Sequence, residues 1–225
     1  MNSMRTAKTS IKSNKSYHHG DLKKAVTSEA VKILQQEGDA YLTLRELARR
    51  LGVTHAAVYR HFKSRKGILA NIAEEGFQEL ARRYRCIQSK IISSKGQGAE
   101  TEDLLCKWVT QLGDCYVYFA LEHPGHFRAM FHPELNKKIE FPKLAAVASE
   151  AFQLFLSSIG NYYAIKNIKV KSAIEIAIMN WSFVHGLATL TLNQQFTFLL
   201  KQTKTKELTV VKNVLKRGNQ LLSNR

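Results

Sequence analysis

Between Thr43 and Phe62 the chain reads TLRELARRLGVTHAAVYRHF. Two apolar periods sit in this stretch, each too short to hold together as an isolated helix. Thr43 and Thr54 each precede one of them and are good N-caps. Glu46, three residues after Thr43, completes a capping box. Leu44, Leu47, Ala48 and Leu51 line the first period, Val58 and Phe62 the second, and Gly52 suits the tight turn between them. Two such helices need a third wall. Asp21–Glu37 supplies it, with Leu22, Val26 and Ile33 at helical spacing, Asp21 as cap and Gly38 as stop. The arrangement is a helix-turn-helix.

A helix that enters a major groove presents the side opposite its buried stripe. With Val58 inward, Ala56 and Arg60 point outward, Tyr59 lies beside them, and His55 and His61 flank. Ala56 lets the helix approach the bases and can meet a thymine methyl, and Arg60 suits guanine O6 and N7. Thr43, at a helix N-terminus, suits a phosphate. Lys63, Arg65 and Lys66 open the next helix and are expected to face phosphates as well. With Arg45 and Thr54 these residues form the candidate DNA-binding set. Charge supports it. The net charge is +16, and residues 1–66 hold 14 Lys and Arg against 5 acids, the basic footprint of a nucleic-acid partner.

The rest of the chain reads as helices. Ser64 caps a long one reaching about Ser93, and Ser94–Ala99 is a loop. Then come Glu102–Glu122, Gly125–Phe131, Phe141–Ile159 with Gly160-Asn161 as stop, Val170 to about Leu192, and Glu207–Leu222. No run alternates with period two, so the expected class is all-α. The organisation is a disordered basic arm (1–20), a helix-turn-helix domain (21–67) and a C-terminal domain (68–225). An apolar content of 44% excludes a disordered chain. Cys86, Cys106 and Cys115 form no metal or disulfide pattern, which fits a reducing cytoplasm. Ser172–Leu192 is long enough to span a bilayer, yet Glu175, Asn180 and His185 favour a buried helix of a protein without a membrane partner. That helix is apolar nearly all round and needs cover on two sides. A second subunit, joined by the stripe Leu208–Leu222, is the economical cover and would set two reading heads roughly 34–36 Å apart.

His123, His126 and His132 lie around Pro124 and Pro133. A small metal-binding protein or enzyme built on them is the alternative to a DNA-binding regulator. Their spacing lacks a regular ligand pattern, and a structural corner is the expectation. No catalytic, metal-ligating or cofactor-binding residue is assigned.

Thr43–Phe62, with Lys66 after it and Asp21–Glu37 before it, resembles the DNA-binding domain of the tetracycline-repressor (TetR) family of bacterial transcriptional regulators, most specifically in GVTHAAVYRHFKSRKGIL. The resemblance implies base contacts at His55, Ala56 and Tyr59, and phosphate contacts at Thr43, Thr54, His61 and Lys66. It also implies a helical C-terminal domain that dimerises and binds a small effector. HPGHFRAMF (123–131) and the Trp-x-x-x-His-Gly element at Trp181, His185 and Gly186 resemble the C-terminal type named for those residues. Trp108, Tyr116, Phe119, Phe127, Phe131, Phe152, Phe155, Trp181 and His185 are the candidate lining of an effector pocket. A repressor released from a palindromic operator by a small molecule is the expected function.

Overall fold

The computed structural model describes residues 19–94, 101–137, 140–165, 173–201 and 206–223. The basic arm through residue 18 and most of the loop expected at 94–99 lie outside the described residues. All regular elements among those described are helical. The head contains α1 (His19–Gln36), a short 3-10 turn (Asp39–Tyr41), α2 (Leu44–Leu51) and α3 (His55–His61). The body contains α5 (Thr101–Glu122), α6 (Pro124–Met130), a second 3-10 turn (Pro133–Leu135), α7 (Pro142–Ile165), α8 (Ala173–Leu192), α9 (Gln195–Leu200) and α10 (Glu207–Ser223). Helix α4 (Arg65–Ser94) belongs to both.

Local chemistry explains the head. Thr43 Oγ1 accepts the Glu46 N–H at 3.1 Å, Thr54 Oγ1 accepts that of Ala57 at 3.2 Å, and Ser64 Oγ accepts that of Gly67 at 3.1 Å. Each bond satisfies an otherwise orphan donor of a first turn. Gly52 has φ +64, the left-handed geometry the turn requires. Only half of the expected capping box forms. Thr43 N–H donates to the Tyr41 carbonyl, and the Glu46 carboxylate turns instead to Arg49 and Arg50 at 2.7–2.8 Å. Arg50 also clamps Glu37 at 2.6 and 2.7 Å, tying α2 to the end of α1. Val26, Ile33, Leu34, Leu47, Val58 and Ile68 form a fully buried head core.

In the body, α4 packs mainly against α7 and α6, and α5 against α8 and α7. The head joins the body through α6. A Cβ at Gly125 would stand 2.6 Å from the Val31 carbonyl oxygen, so only glycine allows α6 to lie this close to α1. Arg128 donates to the Leu34 and Gln35 carbonyls at 2.6 and 3.0 Å, satisfying acceptors at the C-terminus of α1.

Several expectations change. Helix α7 runs through Gly160-Asn161 to Ile165. Helix α9, after a left-handed Gln194, was not foreseen. Among the described residues α8 is the one helix long and apolar enough to cross a membrane by composition. It is covered on one side only: Ala177, Asn180, Val184, Leu187 and Ala188 are buried, whereas Ile174, Ile178, Met179 and Leu190 are exposed. The stripe on α10 divides as well, with Val211 and Leu215 buried in this chain and Leu208 exposed. Among the described residues no atom lies within 4 Å of where a Cβ at Gly186 would be.

Candidate nucleic-acid interface and effector cavity

On α3 the inward side chain is Val58, fully buried, and Phe62 follows it into the core. The opposite side is open. His55, Ala56, Tyr59 and Arg60 are exposed, Tyr59 by 41%, and His61 is half-buried. His55 and Tyr59 meet edge to face at 4.5 Å, one turn apart on the same face. Thr43, Arg45 and Thr54 are exposed at the starts of α2 and α3, and Lys63 is exposed beyond α3. These are nine of the eleven candidate residues, eight of them exposed and His61 half-buried.

Lys66 is engaged within the chain. It pairs with Glu140 at the entrance to α7 and lies 5.6 Å over the Phe141 ring. The ammonium holds the Glu140 carboxyl below its ordinary range. Arg65 is likewise engaged, by Glu134 and by Asp39 at 3.0 Å. Both cations at the start of α4 are therefore tied to acids, all three of which lie in the 3-10 turns and the loop before α7. A pairing across some 70 residues leaves no local mark in the sequence.

The three histidines near Pro124 have separate partners. His123 Nε2 lies 2.9 Å from an Arg83 nitrogen, His126 lies 3.7 Å from Glu75, and His132 Nε2 lies 3.1 Å from Asp39. No group of three possible metal ligands occurs among the described residues. Burial is the main cause that lowers the His123 pKa, with the Arg83 charge adding to it. The Cys115 thiol is pushed up to about 11 by burial, and so is unreactive.

The body holds a half-open cavity of about 360 Å³. Helix α4 supplies Phe77, Leu80 and Tyr84, and α7 supplies Ala148, Ala151, Phe152 and Phe155. Tyr116 of α5, Phe131 after α6 and Trp181 of α8 close it. Four of the candidate pocket residues in the body therefore line it, and so does Phe152. Three do not. Phe119 packs with Arg83 and His123, while Phe127 and His185 face a second, more polar groove of about 850 Å³ between the end of α1 and helices α6 and α8. The Trp108 side chain lies outside the described residues. His185 nevertheless touches the cavity wall through Tyr116: its Nδ1 is 2.7 Å from the Tyr116 hydroxyl, which accepts the Trp181 indole N–H at 3.1 Å.

Residues 26–72 match the family described as bacterial regulatory proteins, tetR family, and residues 109–210 match the tetracyclin repressor-like C-terminal domain. An uncharacterized HTH-type transcriptional regulator, YobS of Bacillus subtilis (strain 168), is 25% identical over 179 residues, covering 79% of this chain and 82% of its own length. A solved protein of unknown function from Rhodococcus sp. RHA1 has a TM-score of 0.70 at 25% identity, covering 94% of this chain and 98% of its own. A bacterial regulatory protein in the tetR family from Rhodococcus RHA1 shares the fold, with a TM-score of 0.59 at 16% identity over 88% of this chain and 95% of its own.

Proposed function

From a chain that carries both domains of a TetR-family DNA-binding transcriptional regulator, we propose a homodimeric cytoplasmic repressor that leaves a palindromic operator when a small molecule fills the body cavity. The observation that carries this reading is the open face of α3: Ala56, Tyr59 and Arg60 lie in solvent, opposite a fully buried Val58. His55, Ala56, Tyr59 and Arg60 meet base edges. Thr43, Arg45, Thr54, His61, Lys63 and Lys66 meet phosphates, with Glu140 competing for Lys66.

Dimerisation is supported by the exposed apolar side chains of the three C-terminal helices: Ile174, Ile178 and Met179 on α8, Phe198 and Leu199 on α9, and Leu208 on α10. Large exposed apolar side chains in this number are what an interface would cover. A twofold axis there pairs the heads on successive major grooves. The element at Trp181, His185 and Gly186 supports assigning the C-terminal domain to the Trp-His-Gly type.

The lever is α4. Its first turn carries Lys66 in the head, and Phe77, Leu80 and Tyr84 line the cavity farther along. Eleven residues at about 1.5 Å each place the first cavity contact roughly 16 Å from Lys66. A ligand that favours a different packing of α4 against α7 changes the head spacing, and ligand and operator weaken one another by the same factor.

The test selects bound fragments from a random duplex pool, then repeats the binding with Tyr59→Ala. Selection of a palindrome and loss of its binding in the variant are expected. A variant that binds the selected DNA as well as the parent refutes the reading face.

A further inference from the structure

The polar groups on the cavity wall narrow what can fill it. Among the described residues three lining side chains carry a polar group: the hydroxyls of Tyr84 and Tyr116 and the indole N–H of Trp181. Two of them satisfy one another. Tyr116 accepts from Trp181, and its hydroxyl shares a second hydrogen bond of 2.7 Å with His185 Nδ1. Burial keeps that imidazole below its ordinary pKa and hence neutral at pH 7. Tyr84 differs. It is only 3% exposed and stacks on Phe155 at 6.5 Å, and its hydroxyl has no hydrogen-bond partner among the described residues. A donor without a protein partner is open to whatever fills the cavity, and a ligand acceptor that displaces the water there takes over its hydrogen bond.

We propose that the cavity takes an uncharged, ring-bearing molecule with a hydrogen-bond acceptor, and that this acceptor meets the Tyr84 hydroxyl. The inference deepens the effector reading above and rests on it. Among the described residues no charged side chain lines the cavity, so an ionised ligand would enter an apolar site without a counter-charge. Ring-bearing ligands fit because the walls present both faces and edges. Phe77 meets Phe131 at 5.8 Å and 71°, and Phe152 meets Trp181 at 6.1 Å and 66°. Offset and edge-on contacts with a flat guest follow. The volume of about 360 Å³ falls at the small end of small-molecule sites, which run from about 300 to 1,000 Å³.

Three probes of one shape separate the requirements: 2-acetylnaphthalene (neutral, with an acceptor), naphthalene (neutral, without one) and 2-naphthoate (anionic). The chain has two tryptophans, so Trp108→Phe leaves Trp181 as a reporter in the cavity wall. Saturable quenching of Trp181 by the ketone is expected. Tyr84→Phe keeps the ring and removes only the donor. It should weaken the ketone about three- to tenfold while leaving naphthalene unchanged. The naphthoate should bind at least about tenfold more weakly than the ketone. The proposal is overturned if the anion binds as well as the ketone, if Tyr84→Phe leaves the ketone unaffected, or if neither neutral probe quenches Trp181. Titrating the operator complex in parallel separates the two readings. A ketone that fills the cavity without changing operator affinity supports the ligand class and refutes effector release. Protein that binds operator but neither neutral probe refutes the ligand class and leaves the regulator reading standing.

Discussion

Replacing Glu140 with Gln perturbs a candidate phosphate contact, Lys66, that the body holds back. Lys66 and Glu140 form a half-exposed pair, their side chains 32% and 45% exposed. Pairs of this kind are worth about 0.2–1 kcal/mol. A Lys66 that must leave Glu140 to reach a phosphate gives up that amount on binding. Glu140→Gln removes the competitor and keeps the side chain's size. At about 1.4 kcal/mol per tenfold, operator affinity should rise about 1.4- to 5-fold per subunit, and about 2- to 30-fold for a dimer in which both subunits change. Lys66→Gln should act oppositely and lower the slope of log affinity against log salt by about 0.9 per subunit. Fluorescence anisotropy of a labelled operator between 50 and 200 mM salt, roughly the range over which phosphate contacts dominate, measures both. If Glu140→Gln leaves affinity unchanged and Lys66→Gln leaves the slope unchanged, Lys66 is a structural tie between α4 and the α7 entrance, and the phosphate assignment is wrong.

Three further outcomes are expected. Gly125→Ala places a methyl 2.6 Å from the Val31 carbonyl oxygen, and such overpacking costs about 1–3 kcal/mol. The melting temperature followed by circular dichroism should fall by about 2–12 °C, and an unchanged value would show that α1 and α6 separate freely. Leu47→Ala, at a fully buried position, should cost about 2–5 kcal/mol in urea unfolding, and a loss under about 1 kcal/mol would contradict a close-packed head. Acid should destabilise the fold in a defined window. Hydrogen bonds from Arg49 and Arg50 to Glu46, and from Arg82 and Arg83 to Glu79, hold both carboxyls at about 2, below their ordinary 4.5. Their contribution is complete above pH 4.5 and is lost as pH falls toward 2. A melting temperature flat between pH 5 and 2.5 would show that these pairs contribute nothing.

What the sequence made legible was local. Thr43, Thr54, Ser64 and Gly52 mark their turns because each acts within three residues of itself, and Val58 orients α3 because helical period fixes its opposite side. The failures come from distance. The Glu46 carboxylate had a local partner in the capping box and a better one in two guanidinium groups. Arg65 and Lys66 read as free cations until residues 69–74 positions away supplied acids. Gly160-Asn161 reads as a stop, yet the helix passes through it. The cavity was half legible. Tyr116, Phe131, Phe155 and Trp181 line it, but helical spacing alone does not separate them from Phe119 and Phe127, which face elsewhere. Phe77 and Tyr84 were absent from the expected pocket because they sit on α4, which reads as the lever and not as a wall.

The claim under everything is that the open side of α3 selects a base sequence. Parallel selections from one random duplex pool, with the parent protein and with Arg60→Ala, measure it directly. The account predicts a palindrome with half-sites about one helical turn apart for the parent, and for the variant the same palindrome with preference relaxed at a guanine in each half-site. Enrichment of no common sequence by the parent, or of an identical sequence by both proteins, would contradict it.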